Sequence, residues 1–390
     1  CNTIVYTGVR TMINCAVVGL GIGMAHVAGY LRHPHARLTM VADRLPERLA
    51  AVGGTFAGGS MRVLEPLFLP PRMEAGTLEC SWQELGVRVE DDVAAVVRDP
   101  AIELVSLCTP DDTHEEMAIA LLEAGKHVLL EKPVALTMPG AERVADVAAG
   151  AAGRIGIGYE FRLNPAVQQL QRLVADGSLG TPRAFSLYHF RTPFRRDKYE
   201  SWIQDRTRSG GLLVEETCHW FDLARWIMGD EVATISCQGV ADIHRDFDFE
   251  DLAFVQGRYR SGGVFQMSHA LTGFDFSLVL QVHGTAGTAW CGLKENVTSS
   301  LDAGQTRYLG VLSTAPLNAS PQDASIFEFG VEATEPFNIA ACTAAAVDTL
   351  RSGGPWVASL QDGIESLRIA LAARQSLETG NEVTLWQANP

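Results

Sequence analysis

The sequence is short of positive charge. It carries 31 Lys and Arg against 46 Asp and Glu, a formal net charge of −15. A surface of that sign offers no basic stripe to a nucleic acid or an anionic bilayer, so neither is expected as a partner. No apolar run approaches the length needed to span a membrane. None of the 8 cysteines, at positions 1, 15, 80, 108, 218, 237, 291 and 342, forms a C-x-x-C. The opening also lacks the basic, then apolar, then small-residue order of a secretory signal. Reduced, mostly buried thiols in a cytoplasmic protein are therefore expected rather than a disulfide framework. Internal repeats and low-complexity tracts are absent as well. What is present is an ordinary globular balance, 47% hydrophobic and 20% charged, in a chain too long for one typical core. Two domains are expected, at 12–134 and 135–390, after a disordered leader at 1–11.

The first domain opens with an apolar strand from Ile13 to Val18, then Gly19-x-Gly21-x-Gly23, then a helix-like run from about Met24. Such a turn offers backbone N–H groups and a positive helix end to a pyrophosphate, and glycine allows the close approach. Ile22 and Met24 flank the last glycine and belong to the same cradle. The third glycine falls one residue earlier than in G-x-G-x-x-G, and a Gly-rich turn without a ligand is the alternative. Asp43, 22 residues after Gly21, ends a second strand, where an acid accepts from the adenosine ribose hydroxyls. It would repel a 2′-phosphate, so NAD is favoured over NADP. Arg44 beside it could stack on adenine or tolerate a phosphate. The strand Ile102–Cys108, a helix from about His114 capped by Asp112 or Thr113, and the strand His127–Leu130 continue a βαβ rhythm. This predicts a doubly wound parallel sheet of the Rossmann type. Cys108, Thr109 and Pro110, with Glu131 and Lys132, then sit at strand carboxyl ends, where such sheets bind ligands.

Lys132 follows a buried strand and precedes a proline. A partly desolvated lysine there could donate to a substrate oxygen, or it could form a structural pair with Glu131. The run "GLLVEETCHWFDLARW", residues 211–226, sets Glu215, His219, Asp222 and Trp226 on one helical stripe. Glu215, one turn before His219, is expected to orient it and raise its pKa, as suits a general base. Glu and His at that spacing could also chelate an ion, but no third ligand stands nearby in sequence, so no metal is expected. A solvated helix face is excluded by the apolar and aromatic residues around the charges.

The G-x-G-x-G turn with His26, "CTPDDTH" ending at His114, "EKP" at 131–133, and "GGLLVEETCHWFDLARWIMG" occur in that order. From about Met12 to the C-terminal helix, the chain resembles the Gfo/Idh/MocA family of nicotinamide-dependent oxidoreductases. The resemblance implies that Lys132 and His219 assist proton transfer at a carbinol while hydride moves to or from the nicotinamide. It implies that Tyr159 and Arg162 enter the substrate pocket with Arg191, Lys198 and Trp202, and Asp222 is added to that pocket. Glu215 stands where the family usually has Asp, and Glu216 where a subgroup has Lys.

From about 232 to 293 the pattern alternates, with the "RSGG" and "HGTAG" turns. An α+β domain is expected, with a large, open, mostly antiparallel sheet. Helices would cover one face and a second copy the other, in a homodimer or homotetramer. The 53–90 stretch, rich in Gly and Pro, is longer than the family's usual connection. The expected activity is NAD-dependent oxidoreduction of a sugar, glycoside, polyol or cyclitol. The alternatives are an NAD-recycling enzyme that cleaves glycosides by oxidation, elimination and reduction, and a non-catalytic sensor of NAD and sugar.

Overall fold

Two sheets divide the chain in the computed structural model, which describes residues 12–50, 81–191, 202–273, 276–295, 308–329 and 339–387. The first sheet contains β1 (Ile13–Val18), β2 (Ala36–Ala42), β3 (Arg88–Glu90), β4 (Leu104–Leu107), β5 (His127–Leu130) and β6 (Ile155–Ile157). Their spatial order is β3-β2-β1-β4-β5-β6, and every pairing is parallel. This is the doubly wound order that places a ligand crevice outside the strand carboxyl ends. The sixth strand lies past residue 134, so the parallel layer draws on more of the chain than 12–134. The leader at 1–11 and most of the 53–90 stretch lie outside the described residues.

The sheet is buried on both faces, as its nearly continuous apolar strands require. In β1, Ala16 and Val18 join a core with Ala118, Leu121 and Val144 from the helices His114–Glu123 and Met138–Gly150. Ile13, Cys15 and Val17 point the other way, toward Met24, Val27 and Tyr30 of the helix Gly23–Arg32. That helix is covered in turn by Ile339–Ser352, whose Ile339 and Cys342 enter the same core. Gly29 permits this contact, since a Cβ there would overlap the Thr343 hydroxyl. Thr113, expected as a cap, makes no capping bond to the helix from His114; its hydroxyl donates to the Pro110 carbonyl instead.

The second sheet has nine strands: β7 (Pro182–Phe190), β8 (Val232–Val240), β9 (Leu252–Tyr259), β10 (Val264–Ala270), β11 (Ser277–Gly284), β12 (Gly287–Glu295), β13 (Tyr308–Pro316), β14 (Ser325–Phe329) and β15 (Val383–Thr384). Their order is β14-β13-β12-β11-β7-β10-β9-β8-β15. Only β7 and β10 pair in parallel; the other pairings are antiparallel. Phe185, Leu187, Val255, Phe265, Leu280 and Val282 face a core under the helices Pro165–Ala175, Thr217–Met228 and Leu360–Thr379. The opposite face carries Tyr188, Phe254 and Trp290, all exposed. No helix among the described residues is long and apolar enough to cross a membrane. Six described cysteines are buried and unbridged.

Candidate active site

The glycine turn after β1 divides its labour. Gly19 has φ 86° and lies against Cys108, whose carbonyl oxygen a Cβ would overlap. Gly23 packs on Val17, where a Cβ would come within 2.9 Å of Cγ1. Gly21 has open space above it; its nearest neighbour would be the Arg48 guanidinium at 3.8 Å. That opening lies beside the N-terminus of a ten-residue helix. Asp43, at the carboxyl end of β2, accepts from Leu20 N at 2.6 Å and Leu45 N at 2.9 Å. Each oxygen keeps a lone pair, so the carboxylate both braces the turn and retains acceptor capacity for a hydroxyl. A dinucleotide fits here: the cradle is open where phosphates approach, and an acid stands at the ribose position. Arg44 is exposed, whereas Arg48, 3.6 Å from Asp43, overlooks the turn. Arg48 escaped the sequence reading because its helix lies beyond the strand-end motif.

Behind the turn, Glu131 points inward. Its Oε1 lies 2.9 Å from His26 Nε2, and the other nitrogen of His26 lies 2.9 Å from the Ser106 hydroxyl. Burial, the largest influence, would raise the Glu131 carboxyl; the His26 bond and the nearby positive charges of His26, Lys132 and His114 together outweigh it, and it is lowered. His114 spans the loops after β4 and β5, with Nε2 2.8 Å from the Thr109 carbonyl and Nδ1 2.7 Å from that of Pro133. It thus sets the spacing of the two loops that hold Pro110 and Lys132.

Lys132 Nζ donates to both the Glu215 carbonyl, at 2.8 Å, and Glu215 Oε1, at 2.6 Å. The expected pairing of Glu215 with His219 is not formed. The helix is interrupted at Glu216 (φ −118°, ψ −42°), dividing Gly211–Glu215 from Thr217–Met228. The one-turn stripe is broken there, and Lys132 takes the carboxylate. The nearest carboxylate to His219 is Glu160, whose Oε2 lies 3.5 Å from Nδ1 without a hydrogen bond. Tyr159 and Phe161 hold the imidazole between their rings, edge-on at centroid distances of 5.6 and 5.4 Å.

These surroundings separate two titrations. Burial, the largest influence, disfavours the Lys132 ammonium, but Glu215 foremost, with Asp111 and the other groups around it, outweighs it and holds the group well above its ordinary value. Burial, then the Lys132 charge, holds His219 well below its ordinary value, where a raised pKa was expected. Burial is the largest cause of the upward shifts of Asp111 and Glu160, and the charges of Glu215 and Glu131 respectively add to it. The surroundings thus favour the charged form of Lys132 and the neutral form of His219.

The residues expected to bind substrate divide differently. Arg162 and Asp222 are spent on each other, with Nε to Oδ2 at 2.7 Å and a second bond to Oδ1 at 2.6 Å. Arg162 also donates to the Val357 carbonyl at 2.9 Å and approaches Asp362 at 3.1 Å. Both are buried, so this fork joins helices and does not present free groups to a ligand. Arg191 is paired with Glu216. Trp202 is partly buried against the core, and Tyr159 is buried with its hydroxyl unbonded. Lys198 lies outside the described residues. Lys132, Glu215, His219, Tyr159 and the missed Asp111 and Glu160 form the cluster at the crevice. Glu160 stood one residue from Tyr159 in "YEF", but only the fold turns it toward His219.

A model of an oxidoreductase family with an NAD-binding Rossmann fold matches residues 13–159. A model of the GFO/IDH/MocA C-terminal domain matches residues 167–290. The chain is 26% identical to a myo-inositol 2-dehydrogenase of Thermotoga maritima over 314 residues, 78% of this chain and 86% of that protein. It is 23% identical to scyllo-inositol 2-dehydrogenase (NAD(+)) of Bacillus subtilis, over 96% of both chains. A levoglucosan dehydrogenase solved in complex with NADH and L-sorbose superposes with a TM-score of 0.76 at 19% identity, over 97% of this chain and 100% of that one.

Proposed function

The chain belongs to the GFO/IDH/MocA family of NAD-binding oxidoreductases, and from that premise we propose that it moves a hydride between NAD and a secondary carbinol of a sugar, polyol or cyclitol. The observation that carries this reading is the Lys132–Glu215 pair, which ties the loop after β5 to the segment that bears His219; the opposed shifts of Lys132 and His219 agree with it. The relatives named for inositols and levoglucosan act on ring carbinols of this kind. NAD supplies the hydride acceptor. The glycine turn with Ile22 and Met24, Asp43, and the Cys108–Pro110 loop form the dinucleotide side of the site.

On the substrate side, Lys132 donates a hydrogen bond to the carbinol oxygen and stabilises the charge that grows there. Neutral His219 takes the hydroxyl proton. Glu215 is the positioning residue for Lys132, through its carbonyl and its carboxylate. Tyr159 and Phe161 restrict the rotation of the imidazole.

The test is formation of NADH, followed by absorbance, with NAD and a panel of inositols, aldoses, anhydrosugars and glycosides. Turnover of one class, lost in Lys132→Met and His219→Gln while NAD binding persists, is the expected result. No NADH from any substrate, with NAD bound, would overturn it. Glycoside cleavage without net NADH would then assign the recycling chemistry, and binding without turnover a sensor.

A further inference from the structure

Glu216 begins a second cluster that the proton-transfer scheme does not use. His189 on β7 and His269 on β10 stand directly opposite each other in the parallel register. Their rings lie 4.8 Å apart and both face Glu216. His189 Nε2 is 3.9 Å from Glu216 Oε1, and His269 Nε2 is 4.0 Å from Oε2. One ring nitrogen from each histidine and a carboxylate oxygen of Glu216 all lie within 4.8 Å of one another. All three side chains are more than nine-tenths buried.

The hydrogen-bond network fixes which ring nitrogens carry protons. His189 Nδ1 faces the Ser277 carbonyl at 3.1 Å, so it must donate. His269 Nδ1 lies 2.8 Å from the Thr217 hydroxyl, which donates its only proton to the Leu212 carbonyl at 3.0 Å. That nitrogen must donate as well. In both neutral rings Nε2 is then a bare lone pair, and both Nε2 atoms lack a hydrogen-bond partner, as does Glu216 Oε2. Three acceptors thus converge with no donor among them. The separations exceed a direct hydrogen bond. One water would bring two protons to three acceptors. Arg191 satisfies Oε1 and leaves Oε2 facing the rings. A cation answers the whole set.

We propose that His189, Glu216 and His269 bind one divalent transition-metal ion of the zinc class through the two Nε2 atoms and Oε2. Two imidazoles and a carboxylate suit zinc, and two imidazoles disfavour magnesium or calcium. Tetrahedral zinc needs its ligands about 3.4 Å apart, which small side-chain rotations supply. A solvent molecule completes the four ligands. The acceptors behind the Nδ1–H groups are the outer partners that orient ligating histidines. Trp220, 4.6 Å from the His189 ring, and Phe276, at 4.9 Å, wall the site.

The experiment uses the full chain, stripped with a chelator, then equilibrated with zinc and desalted. Metal is counted by mass spectrometry, and a parallel sample takes cobalt for absorption spectroscopy. One zinc per chain and an intense four-coordinate cobalt spectrum are expected. Glu216→Gln and His269→Gln should lose both while keeping NAD binding. Thr217→Val, which removes the acceptor behind His269 together with the bond to the Leu212 carbonyl but no ligand atom, should weaken zinc by roughly 10–100-fold. Absence of stoichiometric zinc from the wild type overturns the proposal, and so does equal uptake by all variants. Should the ligand variants fail to fold, Thr217→Val and the wild-type cobalt spectrum decide alone: a weak six-coordinate spectrum, or zinc affinity unchanged in Thr217→Val, counts against it.

Discussion

A single side chain in this crevice is defined by what its neighbours do to its proton. Lys132 is held charged by Glu215 against the cost of burial, and His219 is held neutral by burial and by the Lys132 charge. The signs give a rate profile. In the proposed scheme carbinol oxidation needs neutral His219, which persists down to a pH below 6.5 because its pKa is lowered. It also needs charged Lys132, which persists beyond pH 10.5 because its pKa is raised. The expected kcat/KM for oxidation therefore falls on the acid side and stays level through neutral and mildly alkaline pH. Glu215→Gln removes the main support of the ammonium, so an alkaline limb should move down into the measured range. An unchanged alkaline side in that variant would separate Glu215 from Lys132. His219→Gln should lower kcat by roughly 10²–10⁴-fold at every pH. The glycines permit a sharper test. A Cβ at Gly21 meets open space, so Gly21→Ala should keep its thermal midpoint yet weaken NAD roughly tenfold or more, read by calorimetry. Gly19→Ala, with positive φ and the Cys108 carbonyl in the way, should lose stability itself.

At the scale of elements, the Arg162–Asp222 fork fastens the helix Thr217–Met228 to the N-terminus of Leu360–Thr379. Asp362 there serves both as capping-box partner of Ser359 and as acceptor for Arg162. Removing one member of a buried pair strands the other charge. Arg162→Met is therefore expected to cost about 3–5 kcal/mol in denaturant unfolding, and Arg162→Met with Asp222→Leu should recover most of it. If the double variant is as unstable as the single one, the fork is not the fastening. This pair also marks where sequence reading stops. Elements were legible where the signal is local: the apolar runs of β1, β4 and β5, the glycine turn, the alternation of β9 to β12. Lys132 and His219 were legible because each sits in a short motif at an element end. Their partners were not. Lys132 meets Glu215 across 83 residues, and the helix break at Glu216 has no glycine or proline to announce it. Helical spacing alone therefore assigned the carboxylate to the wrong neighbour. His189 and His269 each occupy an inward strand position, and only the parallel register of β7 and β10, 80 residues apart, brings them together.

The whole molecule leaves one surface unexplained by its own fold. The helices cover one face of the nine-stranded sheet, and the other presents Tyr188, Phe254 and Trp290 at 48%, 55% and 37% exposure. The register sets Tyr188 beside Val279 and Phe254 beside Ser268 on one continuous surface, with the Trp290 ring lying over Gly292. Scattered exposed apolar residues are ordinary; aromatics on alternate strands of one sheet face, with Val279 between two of them, are the kind of patch that associates. Gln256 follows Phe254 on β9, and Gln266 on β10 and Gln281 on β11 lie on the strands between the aromatics, a mix suited to a partner that shares the same pattern. A two-fold contact would bring one such face onto its copy and satisfy both at once. A homodimer, or a tetramer containing it, is the expected state in sedimentation at micromolar concentration. Tyr188→Lys with Phe254→Lys places like charges on both sides of that contact and should shift the chain to monomer with its far-ultraviolet spectrum intact. A wild-type chain that sediments as a monomer, or a double variant that stays assembled, would show that this face does not carry the association. The glycine turn and Asp43 belong to the parallel sheet and not to this face, so the monomeric variant should still bind NAD.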